Sequence, residues 1–300
     1  LRRLVDAIHS CGMRAVLWWM PGAASPDSEV AAAHPEWLAR DETGEPAFLP
    51  LPSNGSGTPG LDYALCPALP GVVAFHRGFV RKALLEWGFD GLKLDGVYGV
   101  PPCFDPAHGH TGPLDTGASW VGLFRAIAGE ALACKPDALL EICSCGVPQN
   151  FWLMPFQNNP VTSDPVGSWQ VRSRTKALKA LFGPSAAVLS DHAELTRLTD
   201  DGLEGEGPPD FASCVGSGAV LEVKVPALAS EEERDLYARW LRVYRELDLA
   251  RGEYLGHLYD LGFDRPECHV VRRGEALYYA FFAEEHVGPE ELRGLDSRRA

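Results

Sequence analysis

The chain has 300 residues, 46% of them hydrophobic and 23% charged, with a formal net charge of −14. That length and composition can bury a large core and suit a single big α/β domain, whereas no apolar run reaches the ~18–20 residues that span a bilayer. The acidic balance, with no basic block, argues against nucleic acid and anionic membrane surfaces as partners and leaves room for an uncharged ligand such as a sugar.

In chain order, Leu1, Leu4, Val5 and Ile8 share one helical face and Gly12 ends that helix. Residues 14–20 (RAVLWWM) read as a buried strand, broken by Pro21 and Gly22. A loop-rich excursion follows through 53–60 (NGSGTPG after Ser53), long enough for a lid or insertion. Val72, Phe75, Phe79, Val80, Ala83 and Trp87 recur at helical spacing up to Gly88, and the strand 91–95 (GLKLD) comes next. A helix over 119–134 leads to a strand over 138–143, a short strand ends near Asp164, and a helix covers 169–182. Two more strands lie at 186–191 and 219–225. Ser230 and Glu233 form a capping box for a helix that carries Leu236, Trp240, Val243 and Leu247 on one face.

This alternation predicts six strand–helix units of a parallel α/β fold. The expectation is a (β/α)8 TIM barrel over residues 1–254 whose first two strands would precede Leu1, a fragment expected to fold poorly and to be inactive alone. No GxGxxG follows any strand, which leaves a nucleotide-binding open sheet unsupported. From residue 255 the pattern changes to short strand-like runs at 269–271, 277–282 and 291–295, the start of a C-terminal antiparallel β-sandwich domain over 255–300. The eight cysteines are scattered without a repeated CxxC, so they define neither a zinc module nor a redox compartment. Localisation stays undetermined.

Barrel active sites form where strands end. Asp95 ends an apolar strand, and Lys93 two residues earlier points to the same face, so a Lys–Asp pair is expected to keep the carboxylate ionised. A structural ion pair at the sheet rim is the plain alternative. Asp164 ends a later strand and precedes Pro165; taken alone it reads better as a helix cap. As a pair, the two carboxylates suit glycoside hydrolysis, one attacking the anomeric carbon and the other serving as acid and base.

Several dispersed motifs occur in one order: HSCGMRAVLWWMP at 9–21, SPDSE at 25–29, HPEW at 34–37, GLKLD at 91–95, LEICSCG at 140–146, TSD at 162–164 followed by Arg172, and SDH at 190–192. Together they resemble glycoside hydrolase family 36, the α-galactosidases, over about residues 1–250. The resemblance implies a retaining exo-α-glycosidase for terminal α-galactosides, with Asp95 as nucleophile and Asp164 as acid/base. It places Trp18, Lys93, Cys143, Gly146, Arg172 and His192 around the sugar, requires no cofactor and assigns no metal. The substrate-reading loops depart from the family: Met20, Pro21 and Gly22 stand where its glutamate follows the tryptophan strand, and 147–150 (VPQN) replace its glycine-rich run. An α-N-acetylgalactosaminidase, or a raffinose-type transglycosylase, would use the same two carboxylates. A catalytically silent carbohydrate-binding barrel is the reading from another class, and the intact Asp95, Asp164 and Lys93 argue against it. The partner expected is an oligosaccharide or glycoside, and a homo-oligomer is left open.

Residues 103–110 (CFDPAHGH) bring one Cys, one Asp and two His close together, but without a strand or helix to hold them they read as a lid loop over the sugar rather than a metal loop. Cys143 as a nucleophile would need a basic neighbour, and Glu141 works against that.

Overall fold

The computed structural model describes residues 1–49, 62–96, 99–146, 149–165, 167–191, 210–223, 230–256, 267–283, 288–289 and 292. The chain divides into two compact units, Leu1–Asn158 and Asn159–Ala300, both of α/β construction.

The first unit starts with helix α1 (Arg2–Ser10) and strand β1 (Val16–Trp19). Next come a small antiparallel pair, β2 (Ala23–Ala24) and β3 (Tyr63–Ala64), with the short helix α2 (Glu29–Ala33) between them in sequence. Ser28 caps α2 through the Ala31 N–H. Helix α3 (Pro70–Arg81) starts on a proline, tolerated there because the first-turn N–H has no helical partner, and runs on as one π-turn over Lys82–Glu86. Strand β4 (Gly91–Leu94), helix α4 (Thr116–Cys134) and strand β5 (Leu139–Ile142) complete the unit.

β1, β4 and β5 form a parallel sheet in that order, with Trp18 level with Lys93 and Lys93 level with Glu141. Strand side chains alternate, so this register sorts the residues into two faces. Leu92, Leu94, Leu140 and Ile142 are buried against Val80, Leu84, Trp120, Phe124 and Ile127, and the Trp19 ring packs tilted against Phe79 with centroids 4.4 Å apart. The opposite face carries Trp18, Lys93 and Glu141. Asn158 extends the ladder past β5: its N–H donates to the Leu140 carbonyl at 3.0 Å and its amide to Ala138 at 2.9 Å.

The turn out of β1 requires glycine. Gly22 has φ 76°, and a Cβ there would lie 2.4 Å from the Trp120 ring. Its N–H donates to His76 Nε2 at 3.0 Å, while His76 Nδ1 bonds the Val72 carbonyl at 2.7 Å. Burial pushes the imidazole down from 6.5 to about 4, so it accepts that bond as a neutral ring.

In the second unit Val161 bridges Leu189 in parallel, and β6 (Leu189–Ser190) pairs in parallel with β7 (Val220–Leu221). Helix α5 (Ser168–Phe182) lies between Val161 and β6 in the chain, and α6 (Phe211–Gly216) precedes β7. Helix α7 (Glu231–Leu247) opens with the expected capping box, Ser230 and Glu233 each bonding the other's backbone N–H. Strands β8 (Glu253–Tyr254), β9 (Glu267–Arg273) and β10 (Ala276–Phe282) make an antiparallel sheet in the order β10-β9-β8. The antiparallel sheet starts with β8, where Tyr254 pairs with Val271. Val215, Leu249, Tyr254 and Val271 bury together with Trp240, Val243 and Leu247 around them, so this sheet shares a core with α6 and α7.

The predicted elements among the described residues stand in the predicted order; the parallel strands are shorter than their apolar runs, whereas β9 and β10 are longer than theirs. The excursion at 53–60, His192 and most of the run 291–295 lie outside the described residues. Among the described residues no helix is long and apolar enough to cross a membrane.

Candidate active site

Asp95 is the first residue past β4, and its N–H donates to the Trp19 carbonyl at 2.9 Å, which ties it to the end of β1. Its carboxylate has three donors. The Trp18 indole N–H reaches Oδ2 at 2.5 Å, the Gly96 N–H reaches Oδ1 at 2.8 Å, and the Cys145 thiol reaches Oδ1 at 2.7 Å. Each donor arrives for a structural reason. Trp18 lies on the same sheet face, Gly96 takes φ 68° to fold its N–H back, and Cys145 sits on a tight turn with φ 51° followed by Gly146 at φ 82°. Three donors on one carboxylate fix its orientation.

Lys93 is engaged by Glu141, directly across the ladder, with Nζ–Oε1 at 3.0 Å and both side chains largely buried. The expected Lys93–Asp95 pairing is corrected accordingly: the contacts on the Asp95 carboxylate are the indole, the backbone and the thiol. Neighbouring strands in a parallel sheet place Glu141 level with Lys93, a proximity that reading along one strand does not reveal.

Trp18 is 54% exposed on the edge strand, leaving its ring face open while its N–H is committed to Asp95. Cys143 is buried one step past β5, its N–H bonded to Leu94 at 2.8 Å, and it meets Cys145 and Asp95 in one group. The neighbouring Cys143 pulls the Cys145 thiol below its ordinary range, against burial and the Asp95 carboxylate. Cys145 falls among the reactive residues at a strand end in the LEICSCG motif, but the sequence assigns it no role at the sugar. Gln149 adds a bond from its amide to the Ile142 carbonyl at 3.1 Å.

Asp164 belongs to the second unit and is not a helix cap. The N-cap of α5 is Gly167, without a side-chain bond. Instead Ser163 and Asp164 take φ 56° and 44°, two consecutive non-glycine residues in the left-handed region. Such residues cost about 1–3 kcal/mol each and persist where their surroundings over-determine them. Here the Asp164 N–H donates to Asp191 Oδ2 at 3.1 Å, and the Asp191 N–H donates to Thr162 Oγ1 at 3.0 Å. Arg174 donates to the carbonyls of Thr162 and Ser163. Asp191, fully buried, thus positions the turn that presents Asp164.

Arg172, expected at the sugar, is 6% exposed and bonds Glu267 with both Nε and Nη2 at 2.8 Å, and Ser213 at 2.9 Å. Its guanidinium also lies 4.5 Å from the Phe282 ring. These contacts tie α5 to α6 and to the β9–β10 hairpin. Burial pushes the Glu267 carboxyl up, but the bonds from His269 and Arg172 prevail and hold it below its ordinary value. Arg174, two residues on, serves the Asp164 turn.

No family model matches the chain. An A type blood α-D-galactosamine galactosaminidase of Flavonifractor plautii is 36% identical over 303 residues, covering 99% of this chain and 26% of that protein, so the chain spans about a quarter of this curated relative's length. Among solved structures, a family 36 α-galactosidase of Geobacillus stearothermophilus in complex with stachyose matches with a TM-score of 0.70 at 15% identity, over 99% of this chain and 41% of that one. The galactosidase domain of the α-galactosidase–sucrose kinase AgaSK gives 0.67 at 19% identity, over 99% and 40%. An α-galactosidase of Lactobacillus brevis gives 0.64 at 15% identity, over 97% and 44%. By sequence the chain is thus a relative of the galactosaminidase, and by fold it stands with the family 36 α-galactosidases that its dispersed motifs resemble.

Proposed function

We propose that the chain is the catalytic part of a retaining α-glycosidase that removes terminal α-galactosaminyl or α-galactosyl groups. The observation that carries the reading is the Asp95 carboxylate at the end of β4, held by Trp18, Gly96 and Cys145 beside an exposed indole face. In this mechanism Asp95 attacks C1 and forms a covalent glycosyl-enzyme, while Asp164 protonates the departing oxygen. Water, deprotonated by Asp164, then releases the sugar with retained configuration.

The (β/α)8 barrel, with its first strands outside this chain, belongs to the same proposal. Its support is the six parallel strand positions in chain order and the likeness to family 36 structures. The galactosaminide reading is favoured over the galactoside by the relative's name and its higher identity. A net charge of −14 also suits a substrate that carries a protonated amine. Lys93, Cys143 and Gly146 remain proposed sugar contacts, Arg172 is given a structural role, and His192 stays a sequence-based proposal.

The test uses the full-length protein and matched aryl α-galactosaminide and α-galactoside substrates. Faster turnover of the aminosugar, abolished in Asp95→Ala and restored by azide with inverted product, is expected. Undiminished turnover in Asp95→Ala would end the assignment, and a preference for the galactoside would return the chain to the galactosidase reading.

A further inference from the structure

Four side chains of the first unit converge away from the Asp95 carboxylate. Cys66 lies two residues past β3; Cys103, His108 and His110 come from the loop between β4 and α4. One ligand-type atom from each lies within 4.8 Å of all the others. Cys66 and Cys103 are fully buried, His108 is 5% exposed and His110 half-buried. Cys103 Sγ and His108 Nδ1 are 3.3 Å apart.

The surroundings fit ligands rather than ordinary core. The Arg40 N–H points at Cys103 Sγ at 3.5 Å, and the Ala68 N–H bonds the Cys66 sulfur, the kind of backbone donor that commonly faces a metal-bound sulfur. The far nitrogen of His108, Nε2, lies 3.4 Å from the Asp105 carboxylate, an arrangement that fixes the ring with Nδ1 toward the sulfurs. Asp105 is itself held by the Ala107 N–H at 2.9 Å. His110 Nε2 is buried with no hydrogen-bond partner among the described residues, a costly state for a polar atom unless something binds it.

We propose that Cys66, Cys103, His108 and His110 form a structural zinc site. Two thiolates and two imidazoles are a tetrahedral zinc set. The two thiolate charges cancel those of the ion, which makes the buried cluster neutral. Four protein ligands leave no position for water, so the ion braces the fold and takes no part in turnover. It would tie the segment after β3 to the loop that follows Asp95.

Full-length protein purified without chelator is expected to hold about one equivalent of zinc per chain by elemental mass spectrometry. The His110→Ala variant, altered at the half-buried ligand, should fold and lose most of it, and the Cys66→Ser/Cys103→Ser double variant should hold none. Cobalt exchanged into the wild type should show thiolate-to-metal absorption in the near ultraviolet and intense tetrahedral visible bands. Both should weaken in His110→Ala. Zinc at the same level in wild type and variants, or a cobalt spectrum without thiolate bands, would overturn the proposal. So would a Cys66–Cys103 disulfide in freshly isolated protein.

Discussion

Asp95 and Asp164 reach the ends of their strands in different company. Asp95 is gripped on its carboxylate by an indole, a backbone N–H and a thiol, whereas Asp164 is presented by a turn whose backbone Asp191 and Arg174 hold at φ 44°. The first arrangement orients a carboxylate, which is what a nucleophile needs. The second fixes the backbone that carries Asp164, the residue proposed to donate and then take a proton.

The largest expected effect is at Asp95. Replacing it by Ala should cost roughly 10⁴-fold or more in kcat, read with an aryl glycoside. Asp164→Ala should cost about 10²–10⁴-fold with poor leaving groups and much less with good ones; equal losses on both would break the contrast between the residues. Arg172→Ala removes the guanidinium from buried Glu267 and leaves it only His269, and should destabilise the second unit by about 3–5 kcal/mol, read as a fall in its unfolding transition. A loss confined to KM would instead put Arg172 at the sugar.

His76 offers a pH test of the first unit. Its folded value, about 4, lies below the ordinary 6.5. Its contribution is therefore fully present above about pH 6.5 and is lost as pH falls through 4. That loss should reach about 3 kcal/mol in wild type and be largely absent from His76→Gln, as followed by thermal unfolding. The smallest effect is expected for Trp18→Phe, which keeps a ring and removes the N–H donor. A loss of about 1.5–3 kcal/mol in transition-state stabilisation, or roughly 10- to 150-fold in kcat, follows from one bond to a charged group.

The sequence was most informative where chemistry follows the chain. Asp95 at the end of GLKLD, the capping box at Ser230 and the order of strands and helices are local signals, and all of them appear in the structure. What could not be read depended on neighbours distant in the chain. Lys93 faces Glu141 because parallel strands bring residues 48 positions apart level with one another. Cys145 reaches Asp95 only through its left-handed turn. Asp164 looked like a helix cap because Asp-Pro commonly starts helices, and only the backbone shows Gly167 in that role. The loop at 103–110 read as a lid because no strand or helix holds its Cys, Asp and two His, and only folding shows Cys66 joining Cys103, His108 and His110.

The central claim is that Asp95 bonds to the sugar. A 5-fluoro-α-galactosyl-type fluoride, or its 2-amino counterpart, slows release of the sugar from a glycosyl-enzyme more than its formation. Incubated with the full-length protein and followed by peptide mass spectrometry, it should add one glycosyl mass to the peptide containing Asp95 and none in Asp95→Ala. A label on another residue, or none while the reagent still inactivates the enzyme, would contradict the account.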